Sequence, residues 1–239
     1  MFDFQERVAL VAGASGALGG ALVRRLVAAG ARVAATDRKP ERLAAALAAD
    51  GLPPGERLTV HGVDLVDLAA VEALVAEVVE RHGRLDHLFN VAGTFGAAES
   101  VEATGDELWA RLWDANFRAT LNACRAAAPA MKRQRAGTIV NVGSRAALHG
   151  DAGVVAYSVS KSAVVRLTES LAAEGKAQGV RVNCVLPHTI DTAANRTAMP
   201  KADPSTWVEL DALIDVLLFL SSPAARAVHG AALPVFGLG

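Results

Sequence analysis

Cysteine is scarce: Cys124 and Cys184 are the only two among 239 residues. Two thiols cannot build a disulfide framework, so a reducing cytoplasm is the expected setting. Long apolar runs are also missing. The stretch Ile214–Leu220 is short and interrupted by Asp215, so no membrane partner is expected. Met1 to Arg7 lacks a basic head followed by an apolar run, which argues against a secretory signal. Charge of one sign is lacking as well: 24 Lys and Arg against 25 Asp and Glu give −1. Nothing there attracts a polyanion, so a nucleic-acid partner is not expected. The six histidines show no ligand-like spacing, and no metal site is expected. Aromatic residues are few, and Tyr157 is the single tyrosine. Chemistry that needs a phenol therefore has one candidate.

What the chain does have is apolar content, 52%, enough to cover both faces of a sheet. Val8–Ala12 is a continuous apolar run, as in a strand buried on both sides. A helical pattern follows from Gly16 to Ala29 and stops at Gly30. Further strands are predicted at 32–36, 58–63, 87–91, 138–142, 180–186 and 231–234. Helices are predicted between them at 40–49, from the Asp67 cap to Glu80, at 106–131, at 154–178 and at 210–221. Strands alternating with helices imply right-handed crossovers. The fold class is therefore α/β: a Rossmann-type, doubly wound, mostly parallel seven-stranded sheet with helices on both faces. No linker breaks the chain, so residues 1–239 read as one domain. Residues 187–206 read as an irregular substrate loop or lid.

Ligands of such sheets sit beyond the carboxyl ends of the strands, and the motifs fall there. Gly13-Ala14-Ser15-Gly16-Ala17-Leu18-Gly19 joins the first strand to the first helix. Its backbone N–H groups and the helix N-terminus suit a pyrophosphate. A glycine turn also occurs as an ordinary connection; its placement gives it weight. Asp37 ends the second strand, where a carboxylate can accept from ribose hydroxyls and repel a 2′-phosphate. That favours NAD(H), while the guanidinium of Arg38 keeps NADP(H) open. Tyr157 and Lys161 stand four apart on one helix face. A nearby ammonium is expected to lower the phenol's pKa and suit it to acid-base work. Taken alone, the pair also reads as an aromatic beside a snorkelling lysine. Ser144 follows the fifth strand, where its hydroxyl can bond a substrate oxygen.

With these residues the chain resembles the short-chain dehydrogenase/reductase family along nearly its whole length. The family's glycine motif aligns with 12–19, with Ala12 for Thr and Ala17 for the middle Gly. Its N-N-A-G motif reads Asn90-Val91-Ala92-Gly93, and its P-G…T segment runs from Pro187 to Thr192, with His188 in place of Gly. The resemblance implies a tetrad of Asn116, Ser144, Tyr157 and Lys161. Tyr157 would exchange the substrate proton. Lys161 would lower its pKa and bond the nicotinamide ribose. Ser144 would orient the carbonyl, and Asn116 would support a water chain. It also implies cofactor contacts from Asp64 and Leu65 on the adenine side, from Asn90, Ala92 and Gly93, and from Pro187, His188, Thr189, Ile190 and Thr192. His188 equally suits a surface or packing role.

Residues 191–207 are similar to the corresponding segment of quinonoid dihydropteridine reductases, although Ser144 fits a carbonyl or alcohol substrate better. Candidate residues for a small-molecule substrate are Thr94, Phe95, Arg145, His149, His188, Asn195, Met199 and Trp207. Trp109 and Trp113 read as a packed apolar stripe. The resemblance implies instead that their helix and the Tyr157 helix form a subunit interface, so a homotetramer or homodimer is expected. A non-catalytic nucleotide sensor on the same fold is the alternative to an enzyme.

Overall fold

The computed structural model describes residues 2–237. Seven strands form one sheet: β1 Val8–Ala12, β2 Arg32–Asp37, β3 Leu58–Gly62, β4 His87–Asn90, β5 Gly137–Val142, β6 Val180–Pro187 and β7 Ala232–Val235. Their order is β3-β2-β1-β4-β5-β6-β7. Every pairing is parallel. The doubly wound α/β expectation is borne out.

Parallel strands need covering on both faces. Along β1, Ala9 and Val11 enter one apolar layer, and Val8 and Leu10 enter the other. The first layer is completed by α1 (Ala17–Ala28), α2 (Pro40–Ala49) and α8 (Leu210–Ser221). The second is completed by α3 (Leu68–His82), α5 (Ala119–Gln134) and α6 (Val155–Gly175). The Asp67 carboxylate accepts from the Ala70 N–H and caps α3; Gly83 ends it with a left-handed φ of 73°.

Two expectations are corrected. The long helix over 106–131 is not uniform. It runs as α4 (Asp106–Leu112), a π-helical turn (Trp113–Arg118), then α5. Residues 187–206 are not wholly irregular: they contain the short helix α7 (Ala193–Ala198) and a 3-10 turn at Pro204–Thr206.

The strand order reverses direction between β1 and β4, and the sheet opens a crevice at such a point. There the Val91 N–H donates to the Ala12 carbonyl, while Gly13 and Ala14 donate to Thr36. These bonds gather three strand ends at one rim.

Candidate active site

A cleft of about 650 Å³ opens at that rim. Gly13, Ser15, Gly16, Asp37, Arg38, Asp64, Leu65, Ala92, Gly93 and Thr94 line it. The glycines do different things. A Cβ on Gly13, whose φ is +93°, would lie 2.5 Å from the Ala92 Cα. One on Gly19 would lie 2.3 Å from the Gly13 carbonyl oxygen. Both are demanded by packing alone. Gly16 is not: a Cβ there would meet only the Gly13 oxygen, at 3.8 Å. It caps α1 without a side-chain hydrogen bond, so the first N–H groups of α1 are left to an outside acceptor. Ala17 and Ser15 are exposed beside it, while Leu18 is buried beneath. The place fits the diphosphate of a dinucleotide.

Asp37 is held at the end of β2 from two sides. Ser15 Oγ donates to one carboxylate oxygen, and the Lys39 N–H donates to the other at 3.1 Å. Arg38 is exposed. Asp64 accepts from the Val66 N–H, and the Leu65 carbonyl accepts from Asn122, which fixes this wall of the cleft.

Asn90 does not reach this cleft. It is 2% exposed and points under the sheet, where its amide donates to Asn141 Oδ1 at 2.8 Å. Asn141 in turn donates to Thr168 Oγ1 on α6 at 2.9 Å. The pleat explains the correction: Asn90 shares a face with Leu88, which lies in the second apolar layer. Its role is to tie β4 to β5 and α6.

Asn116 lies in the π-helical turn and is fully buried. Its side chain grips the loop after β4: Oδ1 accepts from the Thr94 N–H at 2.8 Å, and Nδ2 donates to the Thr94 carbonyl at 3.0 Å. Nδ2 also donates to Ser160 Oγ at 3.0 Å. Ser160 was not foreseen. Its position one residue before Lys161, on the buried face of α6, was the available signal. Thr94 thus lines the cleft with its backbone clamped.

Lys161 is buried and donates to the Val142 carbonyl at 2.9 Å. Burial pushes its pKa down to about 8. A Cβ on Gly93 would come within 3.1 Å of its Nζ and 2.9 Å of Asn116 Oδ1, so this glycine makes room for both. Tyr157 stands one turn earlier on α6, half-buried. Its pKa is raised by burial, against a hydrogen bond from Ser144 that lowers it. This corrects the expectation that Lys161 depresses the phenol. Burial outweighs the Ser144 hydrogen bond that favours the phenolate, and the Lys161 ammonium donates to the Val142 carbonyl. Ser144 Oγ also accepts from the Ala146 N–H at 3.2 Å. Phe95 packs edge-on to Tyr157, with ring centroids 5.1 Å apart, and is 63% exposed.

After β6, Pro187 is buried and His188 half-buried, its ring 6.5 Å from that of Phe236. Burial, then the charge of Arg145, lowers the His188 pKa. Thr189 and Ile190 are pinned to Val208. The Thr192 hydroxyl caps α7, and Asn195 donates to the Ile190 carbonyl at 2.8 Å. Arg145 is half-buried, and His149 and Met199 are exposed. Trp207 is 6% exposed, so it packs beneath the segment instead of facing a substrate. Arg111, Asp114, Ala115 and Ala119 also line the cleft and were not foreseen. They lie in the π-helical turn and on either side of it, a change of helix type that sequence periodicity does not reveal.

A family profile described as short chain dehydrogenase matches residues 7–203. The 2-(R)-hydroxypropyl-CoM dehydrogenase of Xanthobacter autotrophicus is 33% identical, over 97% of this chain and 98% of its own. The meso-2,3-butanediol dehydrogenase of Serratia marcescens is 33% identical, over 98% and 94%. A short-chain type dehydrogenase/reductase from Mycobacterium ulcerans superposes with a TM-score of 0.92 at 30% identity, covering 99% and 90%. The chain belongs to the short-chain dehydrogenase/reductase family and is an NAD(P)-dependent oxidoreductase that moves hydride between nicotinamide and a small alcohol or carbonyl compound.

Proposed function

We propose that Tyr157 is the proton-exchanging group of this oxidoreductase, with Ser144, Lys161 and Asn116 as its supporting set. One observation carries the reading: Ser144 and Phe95 meet at the single phenol of the chain, whose pKa burial raises above the ordinary value. A protonated phenol is the form that donates to a carbonyl oxygen being reduced. Ser144 polarises that oxygen. Lys161, its pKa brought down to about 8 by burial, supplies the cation of the set. Asn116 fixes the loop that carries Thr94 and Phe95. When bound, the nicotinamide supplies the hydride. The α1 N-terminus, Asp37, Asp64 and Leu65 would hold the adenosine and diphosphate. Ala92, Gly93, Pro187, His188 and Thr192 stand toward the nicotinamide end. Asp37, anchored by Ser15 and Lys39, favours NAD(H) over NADP(H).

Tyr157→Phe tests the core of this. It should leave NADH binding intact and lower turnover on a panel of ketones and quinones, with quinonoid dihydropterin included, by at least about a hundredfold. Retained turnover removes Tyr157 from the chemistry. Silence of the native protein across the panel, with NADH bound, favours a sensor. Turnover of the dihydropterin alone favours the reductases that residues 191–207 resemble.

The native form we infer is a homodimer or homotetramer joined through α4, the π-helical turn and α6. Among the described residues no helix is long and apolar enough to cross a membrane. The free, buried thiols of Cys124 and Cys184 suit a reducing cytoplasm, which cell fractionation would check.

A further inference from the structure

Among the described residues five large apolar side chains are exposed: Phe95, Val101, Leu148, Val159 and Met199. Four of them stand on the segments that leave the carboxyl ends of three adjacent strands. Phe95 and Val101 follow β4, Leu148 follows β5, and Met199 follows β6. The turns after β1, β2 and β3 expose none; they present Ser15, Arg38 and Asp64 to the cleft. A single exposed apolar residue needs no explanation, but a group confined to one half of one rim does.

Phe95 touches the chemistry itself. Its ring centroid lies 5.1 Å from that of Tyr157, at 69° to it, and the side chain is still 63% exposed. This is not the exposure of a loose loop, because the backbone is held on either side. Asn116 clamps both backbone groups of Thr94. Gly96 is pressed onto α4, where a Cβ would lie 2.9 Å from Leu108 Cδ1. Further on, the Ala98 N–H donates to the Gly153 carbonyl at 2.8 Å and stitches this segment to the one after β5. That second segment starts at Ser144 and presents Leu148 after a 3-10 turn, Arg145–Ala147. The turn is fixed as well: the Ala147 N–H donates to the Ser144 carbonyl at 2.9 Å, and Ser162 Oγ donates to the Ala147 carbonyl at 3.2 Å.

We propose that Phe95, with Leu148 extending the wall, selects substrates whose reacting carbon carries an apolar group, aromatic or alicyclic, over short hydroxylated ones. This deepens the reading of Tyr157 and Ser144 given above and rests on it. The two hydroxyls take the reacting oxygen, and the rest of the molecule meets side chains that offer no hydrogen bond. An apolar substituent laid on the Phe95 ring removes two apolar surfaces from water at once. An aromatic one adds the ring-to-ring preference that Phe95 already satisfies with Tyr157. A hydroxylated chain in the same place gives up water and finds no partner.

The test holds the reacting group constant and changes what it carries. Benzylacetone and hydroxyacetone are both methyl ketones, one with a phenyl tail and one with a hydroxyl. Each is titrated calorimetrically into the protein loaded with NAD+, where no hydride can move, and each is assayed with NADH. Benzylacetone should bind about tenfold to a hundredfold more tightly, with kcat/KM favouring it to a similar degree. Phe95→Ala should cut that preference by about tenfold while NAD+ affinity stays unchanged. Phe95→Leu, which keeps an apolar side chain, should retain most of it. Phe95→Ala combined with Leu148→Ser should bring the two ketones level. Equal binding of both by the native protein overturns the proposal and leaves the apolar residues to a protein neighbour. A preference that survives the double variant overturns it too, as does a loss that falls on both ketones alike. Benzylacetone preferred in binding but never reduced would instead sink the proton-exchange role of Tyr157 and keep the apolar site.

Discussion

At the scale of single residues, the site is built from groups whose freedom has been taken away. Asp37 holds hydrogen bonds on both oxygens before any ligand arrives, from Ser15 and from the Lys39 N–H. A pre-positioned carboxylate discriminates better than a mobile one, because no ordering cost is charged against its repulsion of a phosphate. Asp37→Ala should therefore lower the ratio of kcat/KM for NADH over NADPH by about tenfold or more. Steady-state kinetics with both cofactors measures it, and an unmoved ratio would mean that Arg38 or the turn itself decides. Lys161 shows the same economy. It is buried, and the Val142 carbonyl takes one of its three N–H donors in place of water. Tyr157 and Lys161 were visible in the sequence as a four-residue spacing. Their electrostatics were not, because spacing along a helix says nothing about which strand carbonyl the ammonium finds.

At the scale of elements, legibility follows how local the determining interaction is. β1 was plain from Val8–Ala12 because a strand covered on both faces is apolar at every position. The start of α1 was plain from glycine chemistry. Asn90 was misplaced because family resemblance outweighed the pleat, which sets it on the Leu88 side, under α5. The break in the long helix was not legible at all. A π-helical turn changes the residues per turn without a proline or glycine to announce it. That turn buries Asn116 and leaves Trp109, Trp113 and Phe117 half-open, with the Trp113 and Phe117 rings 4.5 Å apart. The core-packing reading of the two tryptophans is thus only partly right. Val159 on α6 is 43% exposed. Half-covered aromatics of this kind fit a subunit interface. Trp113→Glu should shift the protein toward monomer in sedimentation velocity while keeping its far-UV helical signal. An assembly unaffected by the charge would move the interface elsewhere.

For the whole molecule, the two ends of the sheet carry opposite duties, chemistry at the carboxyl ends and stability at the amino ends. The amino end of β4 holds His87, buried among apolar residues. Its Nδ1 pairs with Thr138 Oγ1 at 2.7 Å, and its ring stands edge-on to Phe4 at 5.1 Å. Nε2 is buried without a partner. Burial lowers its pKa from 6.5 to about 4, against the opposing pull of Asp86. The unfolded chain therefore binds a proton at higher pH than the folded one does. Between about pH 6.5 and 4 the unfolded state holds more protons, and stability falls as the pH falls. The shift corresponds to about 3 kcal/mol over that window. His61, His82 and His188, lowered mainly by burial, add in the same direction. Asp86, also lowered, adds a further loss only at more acid pH, as its ion pair with Arg84 is protonated away. Urea unfolding at pH 7 and pH 5 should show the native protein markedly weaker at the lower pH. His87→Gln should be weaker at pH 7, because a well-packed ring is lost, yet lose less between the two. Equal losses in native protein and variant would shift the acid sensitivity from β4 to the other histidines.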